Sequence, residues 1–360
     1  MPCGTARPGA GEGSCGERGS ILHGRNRGDE RPIGSAQLRH RWLGAAAAAE
    51  GCTAAADRCL IALTRHKYDA YVGRFGSAGS TLAVERLPIA SGNVLLADFT
   101  SDHELVFFSD REGNYDIFGT RNQLASSEVL VSSAAWEVFP QLRGKSLLYW
   151  ELHPRGDGFE SKGNWMRRTL GETQSERLLE AEIETSQRNY VPPRHATFRC
   201  PRKKLRQCVL RTVSKDYERF AWFDIDSRTL SPPFFTGPFV SRLSWDVSPN
   251  GEHLVVAFND SLKVVSARDG SAREVVVRTP RSYKLQCPTW AHDGNKVYAT
   301  ALTADTRYGI IWIDPTNGES GELWRSDDVW PAYPVVSDDG KRLGFTGQRY
   351  DTEHWVIDGL

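Results

Sequence analysis

The sequence predicts an all-β chain that closes as a β-propeller of six or seven four-stranded blades, and three observations predict it. First, a strand, tight turn, strand unit recurs around Gly251, Gly294 and Gly340, spaced 43 and 46 residues apart, which is the period of one blade. Glycine takes the positive φ that such hairpin turns require. Second, 11 tryptophans and 15 phenylalanines supply the large side chains that sheets packed face to face need between them. Third, an incomplete β-rich unit at residues 59–72 precedes the first full repeat and is suited to share a blade with the end of the chain.

Taken in order, residues 1–56 hold 11 of the 33 glycines and no lysine, phenylalanine or tyrosine. They bury too little apolar surface to offset the entropy of ordering, so a disordered tail is expected there, with the propeller occupying residues 57–360. Residues 76–92 form a Gly/Ser-containing connection with a strand at Thr81–Val84. The next repeats are residues 99–118, whose turn carries His103-Glu104 instead of glycine, and residues 139–150, turning at Gly144. Between Gly144 and Gly251 there is room for two wide periods. The missing blade falls at Phe198–Ile225, after a poorly patterned insertion in which residues 177–184 suit a short helix or a charged strand. Trp245–Phe258, Cys287–Thr300 and Tyr333–Thr346 complete the series, each answered by an outer strand.

These residues carry a family resemblance. Ser-Asp-Arg-Glu-Gly-Asn-Tyr-Asp-Ile-Phe at 109–118, Trp-Asp-Val-Ser-Pro-Asn-Gly at 245–251 and Ser-Asp-Asp-Gly-Lys-Arg-Leu-Gly-Phe at 337–345 resemble the WD40-like repeats of TolB-type propellers. The order of the last blades and the Arg-Cys…Cys-Val-Leu segment at 199–210 are similar to propellers fused to bacterial serine/threonine kinases and winged-helix regulators. The resemblance implies a sensing or scaffolding propeller, and its motifs specify fold better than activity.

Lys+Arg and Asp+Glu are equal at 45 each, so no net field draws in nucleic acid or an anionic membrane. No apolar run approaches bilayer-spanning length. Residues 1–40 lack the apolar core of a secretory signal, which gives a cytoplasmic expectation by default and a periplasmic one if the true start differs. A monomer is expected. The histidines do not fall at metal-ligand spacing, and no cofactor or metal is expected. A Gly-x-Ser-x-Gly elbow, a Walker loop and a kinase catalytic set are all absent from the sequence, so the expectation is of a chain that is not an enzyme. Cys200 and Cys208 bracket a basic run and suit either a disulfide or free thiols.

The candidate site comes from register. The segment just before each innermost strand is placed at the mouth of the central channel, and counting back from the turn glycines gives Trp136, Glu137, Arg242, Lys284, Trp330 and Tyr333, with Tyr190 or Arg194 for the third blade, which has no glycine anchor. Such a ring suits a protein or peptide partner, or a small anionic ligand, bound without catalysis. Two alternatives stand beside it: a detached sensor domain of a truncated signalling kinase or transcriptional regulator, and a propeller-type lyase or hydrolase.

Overall fold

The alternation of β-branched and aromatic runs with polar turns is realised, in the computed structural model, as six antiparallel sheets arranged as a propeller, with no helix among the described residues. The structure describes residues 45–48 and 58–358, apart from 77–80, 90–91, 102–103, 122–125, 156–157, 183–195, 205, 214–216, 239–244, 279–282 and 304–306. The expected disordered tail lies outside the described residues except for a strand at Ala45–Ala48. Cα proximity divides the chain into residues 1–64 with 352–360, and a larger unit of residues 65–351 that contains the cavity described below. No helix of the described residues is long and apolar enough to cross a membrane.

Blades 1 to 5 begin with the inner strands Val94–Ser101, Trp136–Arg143, Ala196–Arg199, Trp245–Val247 and Tyr283–Trp290. Each then runs outward in sequence order. Blade 3, which like blade 1 has no turn glycine, sits where the sequence required a blade: Gln207–Val213 and Tyr217–Asp224 pair behind Ala196–Arg199. In blade 2 the outermost strand is Ser175–Glu182, so the charged stretch there is a strand and not a helix.

Blade 6 answers the blade count. Its two inner strands, Trp330–Val336 and Arg342–Asp358, come from the end of the chain, and its two outer strands, Arg58–Phe75 and Leu82–Arg86, come from the beginning. The incomplete N-terminal unit therefore supplies half of the sixth sheet and is not a seventh. Tyr71 stacks on Phe345 at 5.3 Å, and Arg349 pairs with buried Asp69 at 2.6 Å, so the closure is both apolar and ionic.

The hairpin turns between first and second strands follow one chemical rule in blades 4 and 6. Ser248 Oγ accepts from the Glu252 and His253 N–H groups, and Ser337 Oγ accepts from Arg342 N–H, which satisfies backbone donors that the turn would otherwise strand. Gly251, Gly294 and Gly340 close these turns at φ of 72°, 78° and 70°. A Cβ on Gly251 would stand 3.0 Å from Pro201, and one on Gly340 3.2 Å from His292, so the turns also overlap from one blade to the one before it.

Candidate functional site

The inner strands do not hydrogen-bond to one another, because they radiate from the channel, and side chains must stitch their free edges together. Gln141 does so between blades 2 and 3: its Nε2 donates to Phe198 O at 2.9 Å and its Oε1 accepts from Cys200 N–H at 3.1 Å. Thr346 Oγ1 accepts from Leu96 N–H between blades 6 and 1, and Trp245 Nε1 donates to Thr197 Oγ1 between blades 4 and 3.

Three inner strands share a further device. In blades 2, 5 and 6 the ladder skips two residues, Phe139-Pro140, Cys287-Pro288 and Tyr333-Pro334. The residue before each proline is left-handed, at φ of 53°, 43° and 50°. Proline has no N–H to lose from the ladder, so it tolerates the bulge. Its partner residue carries a conformation that non-glycine side chains rarely adopt, a strain that surrounding packing must hold. All six of these residues line a cavity of about 90 Å³ at the turn end of the channel.

Every blade contributes to that cavity, and its polar lining is charged: Asp98 from blade 1, Arg143 from blade 2, Arg199 and Arg202 from blade 3, Asp246 from blade 4. Asp98 accepts from Arg143 Nη1 at 2.8 Å, from Phe99 N–H at 2.9 Å and from Leu142 N–H at 3.0 Å. Arg143 also clamps Cys200 O through Nε and Nη2, at 2.8 and 2.6 Å. Arg202 reaches across the channel to the Asp338 carboxylate and Val336 O of blade 6, and stands 3.8 Å from Asp98. Burial lowers the Arg202 pKa, with Asp98 opposing the shift.

Asp246 accepts from Thr289 Oγ1 at 3.1 Å and Trp290 N–H at 2.9 Å, with Arg199 Nε 3.9 Å away. Burial raises its pKa, and Arg199 and the hydrogen bonds counter only part of that. Arg199 is the least committed of the three arginines. Its side chain is 31% exposed and, among the described residues, it donates one hydrogen bond, from Nη1 to Phe198 O at 3.1 Å. Three guanidinium groups thus face two carboxylates. The thiol of Cys287 in the same wall is buried, which pushes its pKa up. Cys200 and Cys208 are joined by a disulfide at the foot of the turn that carries Arg202.

Of the residues expected at the channel mouth, Tyr333 lines this cavity, half-buried and 6.0 Å from the Phe139 ring. The structure does not bring Trp136, Glu137, Lys284 or Trp330 into it. Trp136 packs edge-on against Tyr115 of blade 1 at 5.0 Å, and Trp330 stacks on Tyr308 of blade 5 at 6.2 Å. Both tryptophans open an inner strand, and each meets an aromatic residue at the start of the preceding blade's third strand. Lys284 is exposed. Glu137 is fully buried between blades 1 and 2, where Ser133 Oγ donates to it at 2.5 Å and its neighbour is buried Asp116. Burial, above all, pushes the Glu137 pKa up to about 7, with Asp116 adding to the rise. Tyr190, Arg194 and Arg242 lie outside the described residues.

Register reasoning missed Asp98, Arg143, Arg199, Arg202 and Asp246. The signal that marks their level is the Phe-Pro, Cys-Pro and Tyr-Pro dipeptides, whose prolines stand four to six residues before Gly144, Gly294 and Gly340. Among the described residues no group of three or more His, Cys, Asp and Glu side chains could hold a metal ion.

No family profile and no curated protein sequence matches the chain. Among solved structures it is similar to the putative TolB of Agrobacterium tumefaciens, with a TM-score of 0.54 and 12% identity over 79% of this chain and 99% of that one. It is also similar to TolB of Acinetobacter baumannii, at 0.48 and 10% over 73% and 66% of the two chains. An oligogalacturonate lyase solved in complex with manganese matches at 0.48 and 12%, over 76% of each. At such identities the likeness is one of fold. With its recurrent turns, six blades and shared closing sheet, the chain has the fold of a TolB-type β-propeller.

Proposed function

We propose that this propeller binds without catalysing, and that its ligand is a small carboxylate, free or on a peptide, received at the turn end of the channel. The observation that carries the reading is Arg199, left 31% exposed at the cavity with its nearest carboxylate, Asp246, 3.9 Å away, and so able to offer paired donors. Planar, two-pronged recognition of a carboxylate is what an arginine does best. Asp98 and Asp246 are engaged by arginine and backbone N–H groups, so neither is poised as a base. The Cys287 thiol, raised in pKa by burial, is a poor nucleophile.

A lyase or hydrolase reading would rest on Asp246, whose raised pKa suits a general acid. Asp246→Asn separates the two, since a binding site keeps its ligand and an acid catalyst loses turnover.

The direct test is a thermal-shift and calorimetric titration with acetate, succinate, citrate and phosphate. A ligand of the native state raises the melting temperature with ln(1 + [L]/Kd). The expected outcome is saturable stabilisation by a carboxylate, weakened by salt and lost in folded Arg199→Gln. Stabilisation that survives in Arg199→Gln would remove the cavity from the account.

A further inference from the structure

The turn of blade 3 enters the cavity wall in a way that the other hairpin turns do not. In blades 4, 5 and 6 the turn glycine donates back to Ser248, Ala291 and Ser337 carbonyls, at 2.8, 3.0 and 3.0 Å, and the residues between carry no cation into the cavity wall. In blade 3 there is no such glycine. Lys204 N–H donates to Pro201 O at 3.2 Å, and the turn between them sends Arg202 across the channel axis to blade 6. We infer that the Arg202 side chain is a gate over the turn end of the channel, latched to blade 6 and carried on a turn whose base the Cys200–Cys208 disulfide braces. The inference rests on the cavity beneath being the ligand site, and it concerns how that site is reached.

Three features suit a part that opens. The latch is weak on its outer side, because Asp338 is 64% exposed and an ion pair with so solvated a partner is held loosely. Withdrawal of Arg202 strands no buried charge: Asp98 keeps Arg143 at 2.8 Å and two backbone N–H groups. The turn's backbone stays tied to its neighbours, with Lys203 N–H on Pro249 O at 2.9 Å and Lys204 Nζ 4.6 Å from the Trp222 ring, so the moving part is the Arg202 side chain. The base, by contrast, is fixed. Arg143 holds Cys200 O by two hydrogen bonds, and the disulfide joins the two ends of the turn. Motion is thereby confined to the Arg202 side chain, which carries the cation across the opening. A carboxylate beneath the closed turn would gain Arg202 as a third arginine, so the same residue that bars the entrance would also retain the occupant.

The chain contains its own reporter, since Cys287 is a buried thiol in the cavity wall. Methyl methanethiosulfonate would be added to the full-length protein, and modification of the peptide bearing Cys287 followed over time by mass spectrometry, apart from the other cysteines. When opening is fast and rare, the labelling rate tracks the open fraction. Relative to wild type, Arg202→Ala should label Cys287 at least about tenfold faster at an unchanged circular dichroism spectrum, and Arg202→Lys should fall between. If Arg202→Ala does not fold, Asp338→Ala cuts the same latch from its exposed side and should still give a severalfold increase. Wild-type labelling rates in a folded latch variant would overturn the gate. Citrate at saturating concentration should slow labelling of the wild type. Faster labelling in the variants with no protection by any carboxylate would leave the gate standing and sink the ligand assignment.

Discussion

The two ends of the six inner strands are built for different work. At the starting end, Trp136 and Trp330 each pack on an aromatic ring of the preceding blade, and Glu137 is enclosed in the seam between blades 1 and 2. At the turn end, two carboxylates and three guanidinium groups from four blades meet around one cavity. Large amphipathic residues at the start of a strand are therefore used up by blade-to-blade packing, whereas charges converge where a bulge and a proline turn the strand edge toward the axis. Aromatic content alone does not locate a binding surface in a ring of this kind.

The sharpest way to break the comparison is to unpair the turn end. Arg143→Met leaves Asp98 buried without its nearest cation, and should cost about 3–5 kcal/mol by urea denaturation. A loss below about 1 kcal/mol would mean that Arg202 can replace Arg143, and that the arginines are interchangeable.

Next comes the pH response of the starting end. Glu137 ionises near 7 when folded, against an ordinary glutamate value of 4.5, so the folded state holds more protons than the unfolded chain between those limits. Its contribution is fully present below about pH 4.5 and is lost as pH rises toward 7, an effect on the order of 1–3 kcal/mol. Glu151 adds to the rise at Glu137, and Glu112 raises the pKa of its neighbour Asp116. Glu137→Gln should flatten the fall in melting temperature between pH 4.5 and 7, because an amide can donate to the Asp116 oxygen that otherwise lacks a partner among the described residues. An unchanged slope in Glu137→Gln would show that another group sets it.

The smallest effect is expected from Trp330→Leu, which trims a half-buried seam contact and should cost roughly 1–2 kcal/mol. Carboxylate binding should be unchanged within error in isothermal titration. A tenfold loss of affinity would carry the site to the starting end and reverse the comparison.

The architecture was legible because its causes are local. A glycine at positive φ and a β-rich run on either side recur at blade spacing, and even the third blade, which has no turn glycine, was located by the room left for it. The closing sheet was legible as an unfinished unit, although its two strands could be counted as a seventh blade until Arg58–Phe75 was seen beside Arg342–Asp358. The cavity was less so. Arg199 and Arg202 belong to a blade with no turn glycine to count from. Asp98 and Asp246 read as ordinary strand residues, since their partners Arg143 and Thr289 are more than 40 residues away. The side chains that meet there are set by which strand edges the bulges leave free, and that is a tertiary fact.

The shared sixth sheet has a consequence for the newborn chain. Arg58–Phe75 and Leu82–Arg86 emerge from the ribosome first, and the strands they complete emerge last. At ordinary rates of translation the wait is on the order of tens of seconds. Throughout it, the edge that will later receive Arg342–Asp358 is an open template bearing Tyr71 and Phe75. The finished ring hides that edge beneath Arg342–Asp358, so the exposure belongs to synthesis and ends when the sheet closes.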